Sequence, residues 1–270
     1  SIASRFPRLV YCQITGYGSD GEDADRAAYD VGAFWARSGL ASLLTPPGGD
    51  PPFQRGGMGD HSTALAAAAA VSAALFERER YGQGQLVETS LIRQGAYTIS
   101  FDLNLLLMWG TTLDIGDRAS MGNPAMNNYT ARCGRRFWIV GLEGERHWPP
   151  LARAVGHSEW LNDDRFAHPR QRAAKSRELI SMLDEIFATR TLKEWSEVFS
   201  TEPDFFWAPV NTPEELLTDP AFHGSGALLE VPDEVSTTTM VATPVDFRGT
   251  PCTARSLAPT IGEHTREVLT

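Results

Sequence analysis

Residues 56–80, GGMGDHSTALAAAAAVSAALFERER, constrain this chain more than any other part of its sequence. Alanines dominate residues 64–74, and alanine has the highest helix propensity of all residues. Asp60, Ser62 and Thr63 are residue types that cap the N-termini of helices. The sequence therefore predicts a long helix that begins between Asp60 and Thr63, and its small side chains suit close burial.

Asp60 is the candidate functional residue of this stretch. It follows glycines 56, 57 and 59, which let a backbone turn sharply and approach another surface closely. A carboxylate there would lie at the positive end of the helix dipole. An aspartate before a helix is usually a cap that contributes ~1 kcal/mol. The segment alone leaves both interpretations open, a capping residue or a carboxylate presented in a site.

Composition and charge restrict the class of protein. The chain has 270 residues and a net charge of −10, which argues against nucleic acid as a main partner. No apolar run approaches the length that spans a bilayer, and no signal peptide is predicted. The three cysteines lie far apart and outside any metal-ligand spacing, which is typical of reduced thiols in a cytoplasmic protein.

The first half of the chain has the pattern of an α/β fold. Residues 9–14 predict a buried strand that ends in the tight loop 15–18, where open α/β sheets bind ligands. Helices are predicted from Arg26 to about Ser38 and over 91–109, and a second strand over 85–90. A parallel strand needs neighbours, so a first strand without a preceding partner predicts that the chain is the later part of a larger fold.

The second half has shorter elements and predicts an α+β portion. Strands are expected at 129–133 and 137–142 around Gly134, and an apolar strand at 205–210. Helices are expected at 147–156, 172–190 and 191–200, the last with Thr191 and Glu194 in capping-box spacing. Further along, strands are predicted at 228–231 and 240–247 and a terminal helix after Gly262.

Motifs of several familiar enzyme classes are absent from the sequence. There is no GxGxxG fingerprint, P-loop, HExxH zinc motif or GxSxG elbow. The six histidines do not cluster at metal-ligand spacing, and His61 is the only one beside Asp60. No metal is predicted.

Several spaced segments together resemble the family III CoA-transferases, the group of formyl-CoA transferase, carnitine CoA-transferase and α-methylacyl-CoA racemase. The segments run through nearly the whole chain in the family's order: RLVYCQITGYGSDG, RAAYD, GLASLLT, GGMGD with its alanine-rich helix, YGQGQLVETSL, WLNDDRF, TLKEW, APVNTPEELLTDPAF and PVDFRGTP…APTIGEHTREVL. No single segment would suffice.

The resemblance implies the fold and the assembly. A Rossmann-like large domain is expected over 1–110, without the family's N-terminal strands, followed by a linker over 111–128. A smaller α+β domain is expected over 129–225, and residues 226–270 would return to the large domain and end in a helix. Relatives form homodimers of interlocked chains, so each Asp60 is expected near the small domain of the partner.

The resemblance also implies the chemistry. Asp60 takes the place of the family's nucleophile, which attacks an acyl-CoA thioester to give a mixed anhydride and then an aspartyl-CoA thioester. A carboxylic acid acceptor then takes the CoA onward. Arg26, Tyr29, Asp30 and Gly59 are expected to lie around Asp60 and to bind coenzyme A. Arg26 could instead pair with Asp23 or Asp25 in solvent.

Two other functions stay open from the sequence. An acyl-CoA racemase on the same fold would need an acid–base pair, but racemase relatives have a histidine where this chain has Tyr29. Tyrosine, with a pKa near ~10, is a poor base for that task, although His61 could replace it. The chain could also be a non-catalytic fragment that only dimerises. The donor acyl-CoA and the acceptor acid are not predicted.

Overall fold

The computed structural model of the chain describes residues 2–112, 117–233 and 236–270. It divides into two compact units, Ser1–Gly116 (unit 1) and Asp117–Thr270 (unit 2). The change of unit falls inside residues 111–128, the predicted linker. Residues 226–270 are grouped with unit 2, and their return to the large domain stays a prediction.

Unit 1 is built on a short parallel sheet. Strands β1 and β2 pair in parallel, with Tyr11 opposite Leu86 and Thr15 opposite Ser90. Parallel strands need a long crossover connection, and here it contains the alanine-rich helix α3. The elements in chain order are α1 (Ile2–Arg5), β1 (Tyr11–Thr15), a π-helical segment (Val31–Ala36), α2 (Leu40–Leu43), α3 (Met58–Tyr81), β2 (Leu86–Ser90), α4 (Leu91–Thr98) and α5 (Ser100–Trp109).

Three predicted helix boundaries in unit 1 are wrong. Helix α3 begins at Met58, before Asp60, because Gly57 adopts the left-handed conformation with φ +76° and turns the chain into the helix. Residues 26–29 are not helical, and the helical segment starts only after Asp30. The helix predicted over 91–109 is interrupted at Ile99, whose φ of −103° and ψ of +24° end α4 and start α5.

The predicted burial of β1 and α3 is also wrong within this chain. The core of unit 1 lies instead around Phe34 and Trp35 of the π-helical segment, with Leu91 and Ile99 packed nearby. Helix α3 buries only four residues, Gly59, Thr63, Ala67 and Ala74. Its N-terminal turn is therefore fixed against the core while most of its length is exposed.

Unit 2 contains a three-stranded antiparallel sheet covered by helices. Strand β4 lies between β3 and β5, and the predicted hairpin forms around Gly134, shifted by up to three residues at its strand ends. The strands are β3 (Met126–Thr130), β4 (Arg136–Val140), β5 (Trp207–Pro209), β6 (Leu228–Pro232) and β7 (Thr237–Val241). The helices are α6 (Gly144–Ala154), α7 (Pro169–Ala174), α8 (Ser176–Phe187), α9 (Leu192–Phe199), α10 (Pro213–Leu216), α11 (Pro220–Gly224) and α12 (Thr265–Leu269).

An aromatic cluster forms the core of unit 2. Phe187 and Phe199 contact rings from both the sheet and the neighbouring helices, and the ring centroids of Phe199 and Phe205 lie only 4.5 Å apart. Such pairs add to the stabilisation from area burial. The helix predicted over 172–190 is two helices, since α7 ends and α8 begins at Lys175.

The predicted capping box at α9 is confirmed. The Glu194 amide donates to Thr191 Oγ1 at 3.3 Å, and the Thr191 amide donates to Glu194 Oε2 at 2.7 Å. Thr191→Ala should lower the free energy of unfolding by about 1 kcal/mol, because the helix loses a cap. Urea unfolding measures this. Ser196→Ala on the same helix is the control, since the Ser196 hydroxyl bonds only the Lys193 carbonyl; an equal loss in both variants would contradict the capping role.

Candidate active site

The site is built on the first turn of α3. Gly57 precedes the helix in the left-handed conformation, Gly59 is buried, and Asp60 is exposed in the first turn. The Gly59 amide donates a hydrogen bond of 3.2 Å to Oδ2 of Asp30, at the start of the π-helical segment. Asp30 thus supplies from a distant part of the chain an acceptor that N-cap side chains usually supply.

Asp60 is not a cap of α3. The N-cap position is Gly57, which has no side chain to accept a hydrogen bond. Among residues 2–112, 117–233 and 236–270, none donates a hydrogen bond to the Asp60 carboxylate. An exposed carboxylate at the positive end of a helix, without a structural partner, is available to bind or react.

Asp60 lines a cleft at the carboxyl ends of both strands of unit 1. The cleft has a volume of about 370 Å³. Its walls come from the end of β1, from the RAAYD segment, from α3 and from the residue after β2: Ile14, Thr15, Gly16, Ala28, Asp60, Thr63, Ala64 and Leu91. Ligands bind at this edge in open α/β sheets, and the volume is typical of a small-molecule site.

Gly16, in the loop after β1, packs so closely on Ala28 that no larger residue fits at position 16. A Cβ added to Gly16 would lie 2.1 Å from the Ala28 Cβ. The amide of Ile92 donates to the Gly16 carbonyl at 3.0 Å, which fixes the loop to the start of α4. The RAAYD segment is therefore packed directly on the loop that ends β1.

The structure brings only two of the four residues predicted to bind coenzyme A into contact with each other. Asp30 and Gly59 contact each other beneath the first turn of α3, and a Cβ on Gly59 would lie 2.1 Å from Asp30 Oδ1. Tyr29 is 85% exposed. Arg26 pairs with Asp23 at 3.3 Å, which is the alternative that the sequence also offered for it.

Two arginines flank Tyr17 in the loop after β1. The guanidinium of Arg37 lies 4.8 Å and that of Arg26 5.6 Å from the ring centroid of Tyr17. Asp23 accepts hydrogen bonds from both arginines, and the bond from Arg37 does most to lower the pKa of the Asp23 carboxyl group. No sequence pattern identified Tyr17 or Arg37 as a candidate site residue, although the TGYG loop that contains Tyr17 was predicted to be a ligand-binding position.

His61 lies against the glycines that precede the helix. A Cβ on Gly57 would lie 3.0 Å from Cε1 and 3.1 Å from Nε2 of its imidazole. The ring therefore packs beside the turn that presents Asp60.

The sequence profile described as CoA-transferase family III matches residues 1–265 of this chain. The chain belongs to CoA-transferase family III. The resemblance found in the spaced segments is thereby confirmed, and with it the assignment to a family of transferases.

Curated relatives of this family III chain are named CoA-transferases. It is 28% identical to (R)-2-hydroxy-4-methylpentanoate CoA-transferase of Clostridioides difficile. The 269 aligned residues cover 99% of this chain and 67% of that protein. It is 27% identical to cinnamoyl-CoA:phenyllactate CoA-transferase of Clostridium sporogenes, over all of this chain and 66% of that protein. The chain thus spans about two thirds of the length of these relatives.

Solved structures support the fold of the family III chain. Rv3272 from Mycobacterium tuberculosis superimposes with a TM-score of 0.83 at 24% identity, over 97% of this chain and 69% of that one. A CaiB/BaiF family protein from Brucella suis gives a TM-score of 0.81 at 24% identity, over 99% and 69% of the two chains. The predicted mixed α/β fold is confirmed, while its Rossmann-like large domain stays a prediction.

The described part of this chain contains neither a membrane-spanning helix nor a metal-ligand group. In residues 2–112, 117–233 and 236–270, no helix is both long enough and apolar enough to cross a bilayer. In the same residues, no group of three His, Cys, Asp or Glu side chains is arranged to hold a metal ion.

Proposed function

We propose that this chain transfers coenzyme A from an acyl-CoA to a carboxylic acid, with Asp60 as the covalent nucleophile. The observation that carries the proposal is the position of the Asp60 carboxylate. It lies at the start of α3, lines the cleft and accepts no hydrogen bond from the described residues. Membership of CoA-transferase family III supports the transfer of coenzyme A as the reaction.

The reaction begins with the Asp60 carboxylate and the donor thioester. A carboxylate oxygen attacks the thioester carbonyl carbon, the C–S bond breaks, and its electron pair leaves with sulfur as the CoA thiolate. The thiolate then attacks the Asp60 carbonyl carbon of the mixed anhydride. The donor leaves as a free carboxylate, and an aspartyl-CoA thioester remains on the chain.

The acceptor acid reverses these two steps. Its carboxylate attacks the aspartyl thioester carbonyl, expels the CoA thiolate and forms a second mixed anhydride. The thiolate attacks the acceptor's carbonyl carbon in this anhydride, and the bond from that carbon to the Asp60 oxygen breaks. The products are a new acyl-CoA and the regenerated Asp60 carboxylate. No net proton is consumed, so the site needs no general base for the transfer.

The local electrostatics favour this sequence. Each step passes through a negatively charged tetrahedral centre bonded to Asp60, and the positive end of the α3 dipole lies beside it. We further propose that Arg26 and Tyr29, which are exposed on the segment that forms one wall of the cleft, contact the bound CoA. Asp30 and Gly59 would contribute by holding the first turn of α3 in place.

Covalent trapping tests the proposed function. The protein is incubated with a panel of acyl-CoAs, of 2-hydroxy acids, aryl acids and dicarboxylic acids, and then with hydroxylamine. A hydroxamate on the peptide that contains Asp60, found by mass spectrometry, is the expected result, because hydroxylamine captures both the anhydride and the thioester. Exchange of the α-hydrogen for deuterium without CoA transfer would support the racemase instead.

We also propose that the chain assembles as a homodimer with interlocked chains, each Asp60 close to the small domain of the partner. Helix α5 buries none of its ten residues, although most of them are large and apolar, and Leu107 is 82% exposed. Apolar patches of this kind mark interfaces, and a two-fold contact is the commonest arrangement.

Light scattering at micromolar concentration tests this assembly. The expected mass is twice the 29.6 kDa of the chain. Leu107→Glu should shift the mass toward the monomer, because a charge would be buried in the contact. A monodisperse wild-type monomer would contradict the shared site.

A further inference from the structure

A second polar group lies in the cleft beside Asp60. Thr63 is three residues further along α3, on the same face of the helix, and lines the same cleft. The residue is only 1% exposed, and its Oγ1 has no hydrogen-bond partner among the described residues. A buried hydroxyl without a partner is destabilising, so its position calls for a functional explanation.

Two other hydroxyl groups of α3 bond to carbonyls of their own helix, unlike the hydroxyl group of Thr63. Ser62 Oγ donates to the Met58 carbonyl at 3.0 Å, and Ser72 Oγ donates to the Ala68 carbonyl at 2.8 Å. Both bonds follow the usual pattern in helices, in which a hydroxyl returns to the carbonyl four residues earlier. The Thr63 hydroxyl makes no such bond to Gly59. Its hydrogen-bonding capacity is left for a group that enters the cleft.

We propose that the Thr63 hydroxyl donates a hydrogen bond to the carbonyl oxygen of the acyl group that is being transferred at Asp60. This inference rests on the proposed function, since it assigns the group that stabilises the oxyanion in those steps of the reaction in which the acyl carbon is attacked. When a nucleophile attacks the acyl carbon, negative charge develops on this oxygen, and a donor held in a buried position stabilises it. In this hydrogen bond to the acyl oxygen, the proton stays on the Thr63 hydroxyl group.

The cleft is large enough to take an acyl group beside Thr63. A volume of about 370 Å³ lies at the lower end of small-molecule sites. Its walls include Gly16, Ala28 and Ala64, which leave room beside Thr63. The ligand that we place at this position is an acyl group with its carbonyl oxygen directed at α3.

Three variants test the role of Thr63, assayed with a donor and acceptor pair that the wild type converts. Thr63→Val removes the hydroxyl at nearly constant volume and should lower kcat by about 100- to 1000-fold with a smaller change in KM. Thr63→Ser keeps the hydroxyl and should retain most of the activity. Ser62→Ala, whose hydroxyl is bonded within the helix, is the control and should transfer CoA at the wild-type rate.

Thermal unfolding of the same variants separates function from structure. The midpoint of Thr63→Val should be equal to or above that of the wild type, because a methyl group replaces an unpaired buried hydroxyl. Wild-type kcat in Thr63→Val overturns the inference and leaves the proposed function standing. A midpoint several degrees below the wild type also overturns it, since the hydroxyl would then have a structural partner. A wild-type protein that transfers no CoA and shows no trapped Asp60 refutes the proposed function, and the inference with it.

Discussion

Asp60→Ala should abolish CoA transfer and leave the fold intact. Without the carboxylate no anhydride can form, so the transfer rate should fall to the limit of detection. The cost in stability should be small, about 0.3–1 kcal/mol from the lost interaction with the helix dipole, because Asp60 is exposed and no described residue bonds it. Chromatography of the CoA thioesters measures transfer, and urea unfolding measures stability.

Asp102→Ala is the matched control for this prediction. Asp102 is a carboxylate in the first turn of α5, in the same unit, so its removal also costs a favourable interaction with a helix dipole. It should leave transfer unchanged, and light scattering should give the same mass as for the wild type, because α5 belongs to the proposed interface. Asp60→Asn provides the opposing result: full activity in this variant, with mass spectrometry showing no deamidation, would refute Asp60 as the nucleophile.

Gly59→Ala should be strongly destabilising. The added Cβ would lie 2.1 Å from Asp30 Oδ1 and 2.3 Å from the Phe34 ring, closer than any real contact. Because Phe34 is in the core of unit 1, α3 must shift or Phe34 must leave its packed position. We expect a loss of about 3 kcal/mol in the free energy of unfolding. Transfer activity should fall as well, since Asp60 follows Gly59 directly.

Gly56→Ala separates this steric effect from the general loss of a glycine. A Cβ on Gly56 would meet no atom within 4 Å, and the backbone there is not left-handed. Urea unfolding of the two variants should show a large difference, with Gly56→Ala close to the wild type. Equal stability of both would mean that the first turn of α3 is free to move away from Phe34.

The sequence predicted the features of this chain that depend on local chemistry. Alanine content located α3, and the spacing of Thr191 and Glu194 located the start of α9 with its capping box. The strand pattern of residues 9–14 located the loop after β1, and the structure places this loop in the same cleft as Asp60. In each case one local signal was strong enough to decide the structure.

Features that depend on tertiary contacts were missed. The start of α3 at Met58 is set by Gly57 and by the bond from Gly59 to Asp30, neither of which is a cap signal in the sequence. The break at Ile99 lies between Thr98 and Ser100, with no glycine or proline directly beside it to mark it. Thr63 looked like a capping residue, and only its burial without a partner distinguishes it from Ser62.

The bond between Gly59 and Asp30 also limits how the site could be moved to another protein. It joins residues 29 positions apart, so the start of α3 is defined by a segment outside the helix. A scaffold that received α3 alone would gain a stable helix, since the alanines would still form one, but nothing would set where its first turn begins. The transferable module is therefore α3 together with the segment that carries Asp30 and Phe34.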